Sequence, residues 1–358
     1  MNKEIYKPTI FNLEAESERR NFIDFKEKNT DVYFIDNLGE QKHELNLVEN
    51  SKLISHTILN TNIKSSTNDN DGVWVYFPWK RTAVKILNKD KYSKLRLSRN
   101  HNLITQDEEN ILKKATISIA GLNVGNPGAV CLVLEGIGYN IKLADFDILS
   151  VSNLNRFRAG LPDIELNKAI ISARQMYEIN PFLNIEVYDK GIDNDNMEHF
   201  LNFPKVDILI EETDNLKLKI NIREIAKKNK IPVLMVTGNG ENVLVDVERY
   251  DYEYNIPLLS GFLSDSTINK IKAVETGKGT YEERINLAMD FMDKKYLDPR
   301  LVESFMQVGN TLAGIPQLAE SSFLRGAVIC HFTKHILLKH EIPSGRYSVS
   351  MSGVKIIS

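Results

Sequence analysis

The stretch Ala115–Asp147, ATISIAGLNVGNPGAVCLVLEGIGYNIKLADFD, decides the fold. It opens on an apolar run rich in isoleucine, the pattern of a strand buried on both faces of a sheet. Gly121 and Gly125 follow, then NPGAVCLVLEGIG, an apolar segment long enough for a helix. A second apolar run, Asn140–Ala144, ends in Asp145 and Asp147. Gly121 and Gly125 let the backbone turn tightly and approach a ligand. The helix N-terminus beyond them offers unpaired N–H groups and a positive dipole end to phosphate. Pro127 is expected in the first helical turn, where its missing N–H goes unused. Asp145 follows Gly125 by roughly 20 residues, the place where such units carry a carboxylate that accepts from ribose hydroxyls.

The same alternation continues outward. NKAIISARQMYEIN, DNMEHFLNF and LKLKINIREIAKKNK read as helices; NIEVYD, VDILIEE, IPVLMVT and NVLVDVERYD read as strands. Nearly continuous apolar strands alternating with helices predict an α/β fold, a doubly wound, mostly parallel sheet covered on both faces, over residues 96–260. Ligands of such sheets bind beyond the carboxyl ends of the strands. The acids of DFD and ETD fall there.

Residues 1–95 are expected to form an α+β extension. DVYFID is a strand, and GVWVYFPWKRTAVKIL a hairpin turning at Pro78 and Trp79. Between them NTNIKSSTNDNDG (60–72) reads as a polar loop. Residues 261–358 are expected to be mainly helical, with helices in TYEERINLAMDFMDKKY, VESFMQVGNTLAG and LRGAVICHFTKHILLK. TGKGT (276–280) lacks the upstream glycine of a P-loop and has Gly279 where Ser or Thr should follow the lysine, so it reads as a charged loop.

Composition narrows the function. The chain has 358 residues and a formal net charge of −3. That balance argues against nucleic-acid binding by bulk charge. No apolar run reaches the ~18 residues of a membrane span, and the first residues do not form a signal peptide, so a cytoplasmic protein is expected. Two cysteines, Cys131 and Cys330, exclude a disulfide scaffold and a four-cysteine zinc site within one chain. His331 and His335 stand four apart on a probable helix with no third metal ligand in view, and read as an ordinary helix face.

Cations distinguish which nucleotide the fold would take. Asn153, Asn155, Arg156 and Arg158 follow the DFD acids, Lys168 opens the next helix, and Asp214 closes another strand. A nicotinamide cofactor needs little beyond the glycine turn and the ribose acid. A triphosphate needs fixed cations and Mg²⁺. Arginine offers phosphate paired donors, lysine a point charge, and an aspartate at a strand end can hold Mg²⁺.

LADFDILSVSNLNR, NKAIISARQMYEINPFLNIEVY and ILIEETDN, in this order and spacing, resemble the ThiF family of adenylating enzymes, the ubiquitin-activating-like superfamily. GLNVG, GVWVYFPWKR, SRNHNLIT and GIPQLAE look closest to a branch with some members fused to a nitroreductase-like domain. The resemblance implies a Rossmann-like domain that binds ATP and Mg²⁺ and activates a carboxylate, on a small molecule or the C-terminus of a protein or peptide, as an acyl-adenylate. It assigns Gly121 and Gly125 to the nucleotide turn and Asp145 to the ribose, with Asp147 shaping the turn beside it. Asn153, Arg156 and Lys168 go to the phosphates, and Asp214 to Mg²⁺. It also implies a homodimer in which Arg99 reaches the neighbour's ATP. Ala120 stands where the family has its first glycine, and no cysteine follows Asp214 where thioester-forming relatives carry one. The competing expectations are an adenylation-driven dehydratase or cyclase, a catalytically silent nucleotide-binding scaffold, and an NAD-dependent oxidoreductase, which would leave Arg156, Lys168 and Asp214 unexplained.

Overall fold

A computed structural model describes residues 5–52, 72–273 and 280–351. The polar loop expected at 60–72 lies outside the described residues except for Gly72, and TGKGT except for Thr280. The chain forms two compact units. One comprises the residues up to Glu109 with Ala173–Leu183, the other Asn110–Ser172 with the residues from Asn184 onward.

The first unit holds β1 (Thr9–Asn12), α1 (Glu16–Lys28), β2 (Tyr33–Asp36), α2 (Leu38–Glu49), β3 (Val73–Phe77), β4 (Thr82–Ile86) and α3 (Lys89–Arg96). Its sheet order is β1-β3-β4-β2. β3 and β4 form the expected antiparallel hairpin, with Phe77 opposite Thr82. It turns through a 3-10 helix at Pro78–Lys80, and Arg81 takes the left-handed conformation at φ 47°. Aromatic residues fill the core, where Phe22 stacks on Trp74 at 5.1 Å. Trp79 Nε1 donates to Glu178 Oε1 at 2.6 Å, which ties the hairpin turn to residues 173–183 of the same unit.

Helix α4 (Gln106–Leu112) leads into the second unit. There follow β5 (Thr116–Ala120), α5 (Leu122–Glu135), β6 (Asn140–Ala144), α6 (Lys168–Ile179, which from Ala173 onward belongs to the first unit), β7 (Asn184–Tyr188), α7 (Met197–Asn202), β8 (Ile208–Glu211) and α8 (Leu216–Lys228). Then come β9 (Val233–Asn239), β10 (Asn242–Glu248), α9 (Asp265–Ala273), α10 (Tyr281–Met292), α11 (Pro299–Gln307), α12 (Ala319–Leu337) and β11 (Gly345–Val349). The sheet order is β11-β10-β9-β8-β5-β6-β7. β5 pairs parallel with both β6 and β8, and β10 pairs antiparallel with β9 and β11. The chain therefore winds one way from β5 through β6 to β7, then returns to the other side of β5. The crevice opens where the order reverses, between β5 and β8.

Three local expectations are corrected. The helix expected at Val302–Gly314 stops at Gln307, because Val308 is extended and Gly309 turns at φ 84°. The C-terminal region adds β11 to the sheet edge. Its short GRYSV run is partly exposed and had no apolar pattern to announce it. Helix α5 begins at Leu122, so Gly125 and Pro127 lie inside it and not before it or in its first turn. Gly125 packs tightly, since a Cβ there would come within 2.7 Å of Ile119 Cγ2.

Helix α12 lies along α5 at close range. A Cβ on Gly326 would meet Pro127 Cβ at 2.8 Å, and one on Gly128 would meet Ile329 at 2.7 Å. Only small residues allow so near a crossing. The same contact brings Cys131, Cys330 and Glu135 within 4.8 Å of one another, a pairing that the sequence reading did not anticipate. No helix among the described residues is long and apolar enough to cross a membrane.

Candidate functional site

The sharp turn after β5 is built on Gly121. It adopts φ 87°, and a Cβ there would lie 2.4 Å from the Glu212 carbonyl oxygen. Only glycine allows both the left-handed angle and the close approach. Gly121 N–H donates to Ala144 O at 2.8 Å, and Glu212 N–H to Ala120 O at 2.7 Å. These bonds draw the carboxyl ends of β5, β6 and β8 together. Over them lies a pocket of about 460 Å³.

Asp145 and Asp147 form one side of this pocket. Asp145 is buried. Its Oδ2 accepts from Leu122 N–H at 2.6 Å, the first free amide of α5, and its Oδ1 from Asp147 N–H at 2.8 Å. Burial pushes this carboxyl above its ordinary value, and the two backbone bonds partly offset the push. Asp147 Oδ2 is held at 2.9 Å by the buried Lys168 Nζ. Phe146 between them is 73% exposed and faces the pocket, an apolar surface that the sequence reading passed over.

Glu212, Thr213, Asp214 and Asn215 form the opposite side. Asn215 caps α8, its Oδ1 accepting from Leu218 N–H at 3.1 Å. Asp214 is exposed and accepts no hydrogen bond from the described residues. An unengaged hard oxygen donor on a pocket wall suits Mg²⁺, which prefers one or two carboxylates and completes its shell with water and phosphate. Glu212 is buried, with Oε1 accepting from Val236 N–H at 2.7 Å. Burial pushes its carboxyl up to about 8. The far wall is apolar, from Leu216, Leu218, Ile271, Leu287 and Ala288, with Lys217 and Arg284 as its cations.

Of the residues expected at the site, Gly121, Asp145, Asp147 and Asp214 line the pocket. Lys168 reaches it through Asp147. Arg156 does not line it. Its Nη1 donates to Ser152 O at 3.1 Å and Asn155 Oδ1 at 2.8 Å, while its buried Nε meets no acceptor. Burial lowers the Arg156 pKa and the charge of Asp214 raises it. Asn153 is engaged in capping its own turn, where Ser150 N–H donates to its Oδ1 at 3.2 Å. Gly125 does not line the pocket, and Arg99 is exposed on a 3-10 turn at Ser98–Asn100 of the first unit. Glu212, Lys217, Arg284 and Phe146 were not anticipated. Glu212 and Phe146 lay inside the motifs already singled out, but burial and facing decide their importance and neither is written in residue type.

A doubly wound sheet with a glycine turn and aspartates on the strand ends at its switch point is the arrangement that nucleotide-binding domains share. Residues 97–247 match the ThiF family, and this part of the chain is a ThiF-family domain. The "Uncharacterized protein MT1398" of Mycobacterium tuberculosis is 36% identical over 279 residues, covering 78% of this chain and 38% of that protein. The molybdopterin-synthase adenylyltransferase of Haemophilus influenzae is 28% identical over 178 residues, covering 48% of this chain and 69% of that protein. The tRNA threonylcarbamoyladenosine dehydratase of the same organism is 28% identical over 174 residues, covering 48% and 64%. The chain thus spans well under half the length of the mycobacterial relative.

Proposed function

We propose that this protein is an ATP- and Mg²⁺-dependent adenylyltransferase that activates a carboxylate as an acyl-adenylate. The observation that carries the reading is the placement of Asp145 and the unengaged Asp214 on facing walls of one pocket, at the switch point of a ThiF-family domain. The adenylyltransferase named among the relatives supports it.

In this reading Asp145 accepts from the ribose hydroxyls with the lone pairs that Leu122 and Asp147 leave open. Gly121 lets the nucleotide approach the backbone. Asp214 holds Mg²⁺, which neutralises phosphate charge when bound. Arg156 and Lys168 supply fixed positive charge, and Asp147 keeps Lys168 oriented. The substrate carboxylate is already an anion and needs no general base. It attacks the α-phosphate, and pyrophosphate leaves. The protein's task is to offset repulsion between carboxylate and phosphate and to stabilise charge on the leaving group. The substrate is a small-molecule carboxylate or the C-terminus of a peptide or small protein, and the enzyme works as a cytoplasmic homodimer with Arg99 directed to the partner's nucleotide. The dehydratase among the relatives favours a second reading, in which a nucleophile of the same substrate attacks the adenylate and AMP leaves, so that the substrate loses the elements of water overall.

The test supplies ATP, Mg²⁺ and a panel of peptides with free C-termini, and follows the nucleotide products by phosphorus NMR. Pyrophosphate and the acyl-adenylate are expected, with AMP appearing as the adenylate hydrolyses. Arg156→Ala and Lys168→Ala each lower their formation by about 10²–10³, the cost of losing one preorganised charged donor. ADP and phosphate as products, or unchanged AMP formation in both variants, would contradict the proposal.

A further inference from the structure

We infer that Arg325, on α12 and remote in sequence from every motif of the site, is a further binding residue for the outer phosphates of the nucleotide. The inference rests on the nucleotide reading above. Arg325 is 3% exposed. Its Nε meets no acceptor, and Nη2 reaches only Gln317 Oε1, at 3.4 Å. A buried guanidinium without a paired anion is expensive, of the order of several kcal/mol. A fold retains one where a ligand supplies the anion.

Arg325 is also held in place by construction. The close crossing at Gly326 and Pro127 fixes α12 against α5. One turn earlier Ser322 Oγ donates to Arg156 O at 3.0 Å, and Asn155 Nδ2 donates to Gln317 O at 2.9 Å. The loop carrying Arg156 and the start of α12 are therefore one assembly. The guanidinium lies against β9, where a Cβ on Gly238 would stand in ordinary contact with Arg325 Nη1, at 3.4 Å.

The charges do not balance. Arg325 lies in the field of Glu212, Asp214 and Arg156. Neither guanidinium forms a salt bridge with a carboxylate among the described residues, and both Arg156 Nε and Arg325 Nε lack an acceptor. Asn123, on the pocket wall, also has a buried Oδ1 without a partner. Once Asp214 turns to Mg²⁺, the two arginines require anionic oxygens. A guanidinium offers Nε–H and Nη–H as a fork that matches phosphate. A substrate carboxylate would present similar oxygens, so the test separates the two.

Calorimetry on the full chain compares MgATP, AMP, pyrophosphate and a peptide with a free C-terminal carboxylate, using wild type, Arg325→Ala, Arg325→Gln and Arg325→Lys, with thermal melting as the control for folding. MgATP is expected to bind about 10- to 100-fold more weakly to Arg325→Ala and Arg325→Gln, the loss of a charged, bidentate contact. Arg325→Lys recovers part of that loss. AMP, which lacks the outer phosphates, changes less than about threefold, a split that a merely structural residue would not produce. Equal weakening of ATP and AMP, or unchanged ATP binding in variants that fold, would overturn the assignment. Unchanged ATP binding with weakened carboxylate-peptide binding would move Arg325 to the substrate's acid and overturn it as a phosphate residue. Wild-type protein that binds neither ATP nor pyrophosphate would instead refute the nucleotide reading, and this inference with it.

Discussion

Glu211 and Glu212 are neighbours in the chain and opposites in environment. Successive residues of an extended chain turn to opposite sides. Glu211 meets Lys219 Nζ at 3.0 Å and Arg223 Nη1 at 2.6 Å, both from α8. Arg223 Nε continues to Glu248 Oε2 at 2.7 Å, and Glu248 also accepts from Tyr250 Oη. Burial alone would raise the Glu211 carboxyl, yet Lys219 and Arg223 overcome it and hold the group down at about 2. Glu212 lines the pocket and has no salt-bridge partner among the described residues, only one backbone amide, and burial carries it up to about 8. The first network is closed, since each charge meets its counter-charge. The second is open, with unpaired guanidinium nitrogens and a neutral acid. A closed buried network specifies a fold, while an open one beside a pocket implies a ligand.

The largest effect expected on this contrast comes from its closed half. Arg223→Ala leaves Glu211 and Glu248 buried with one lysine between them, and is predicted to destabilise the protein by about 3–5 kcal/mol. Denaturant unfolding measures it. A loss below about 1 kcal/mol would mean that the network is not the closed unit described here.

A smaller effect, dependent on pH, should come from the open half. The Glu212 carboxyl titrates at about 8 in the fold and near its ordinary 4.5 when unfolded. The fold therefore favours the protonated form. Stability is unaffected by this group below about pH 4.5, falls as pH rises toward 8, and levels off above that. Glu212→Gln keeps an oxygen for Val236 N–H and removes the titration. The variant should gain on wild type across that window, by about 2–4 kcal/mol at the upper end. Glu211, with its carboxyl lowered, has the opposite sign. It stabilises above its unfolded value, and that contribution is lost as pH falls toward 2. Parallel stability curves for wild type and Glu212→Gln from pH 5 to 9 would refute the open-site description.

The sheet was legible because it rests on repetition. Apolar strands alternate with helical segments, and period and length suffice to order them. The acids Asp145 and Asp214 were legible because strand ends are where such a sheet exposes side chains. Gly125 was misplaced because the same spacing serves a ligand turn and the packing of a helix on Ile119, and only coordinates separate the two. Strand β11 was invisible because an edge strand exposed in part needs no apolar pattern. Arg325 was missed for a different reason. In an apolar helix a lone arginine reads as a solvated surface cation, and nothing local reveals that Gly326 and Ser322 bring it beside Arg156.

On the function proposed above, the open half of the contrast is a triphosphate site. Calorimetric titration of the purified protein with ATP, with and without Mg²⁺ and with NAD as the control, tests it most directly. The account predicts ATP binding that strengthens with Mg²⁺, and no binding of NAD. Binding of NAD without Mg²⁺, or an ATP affinity indifferent to the metal, would contradict it.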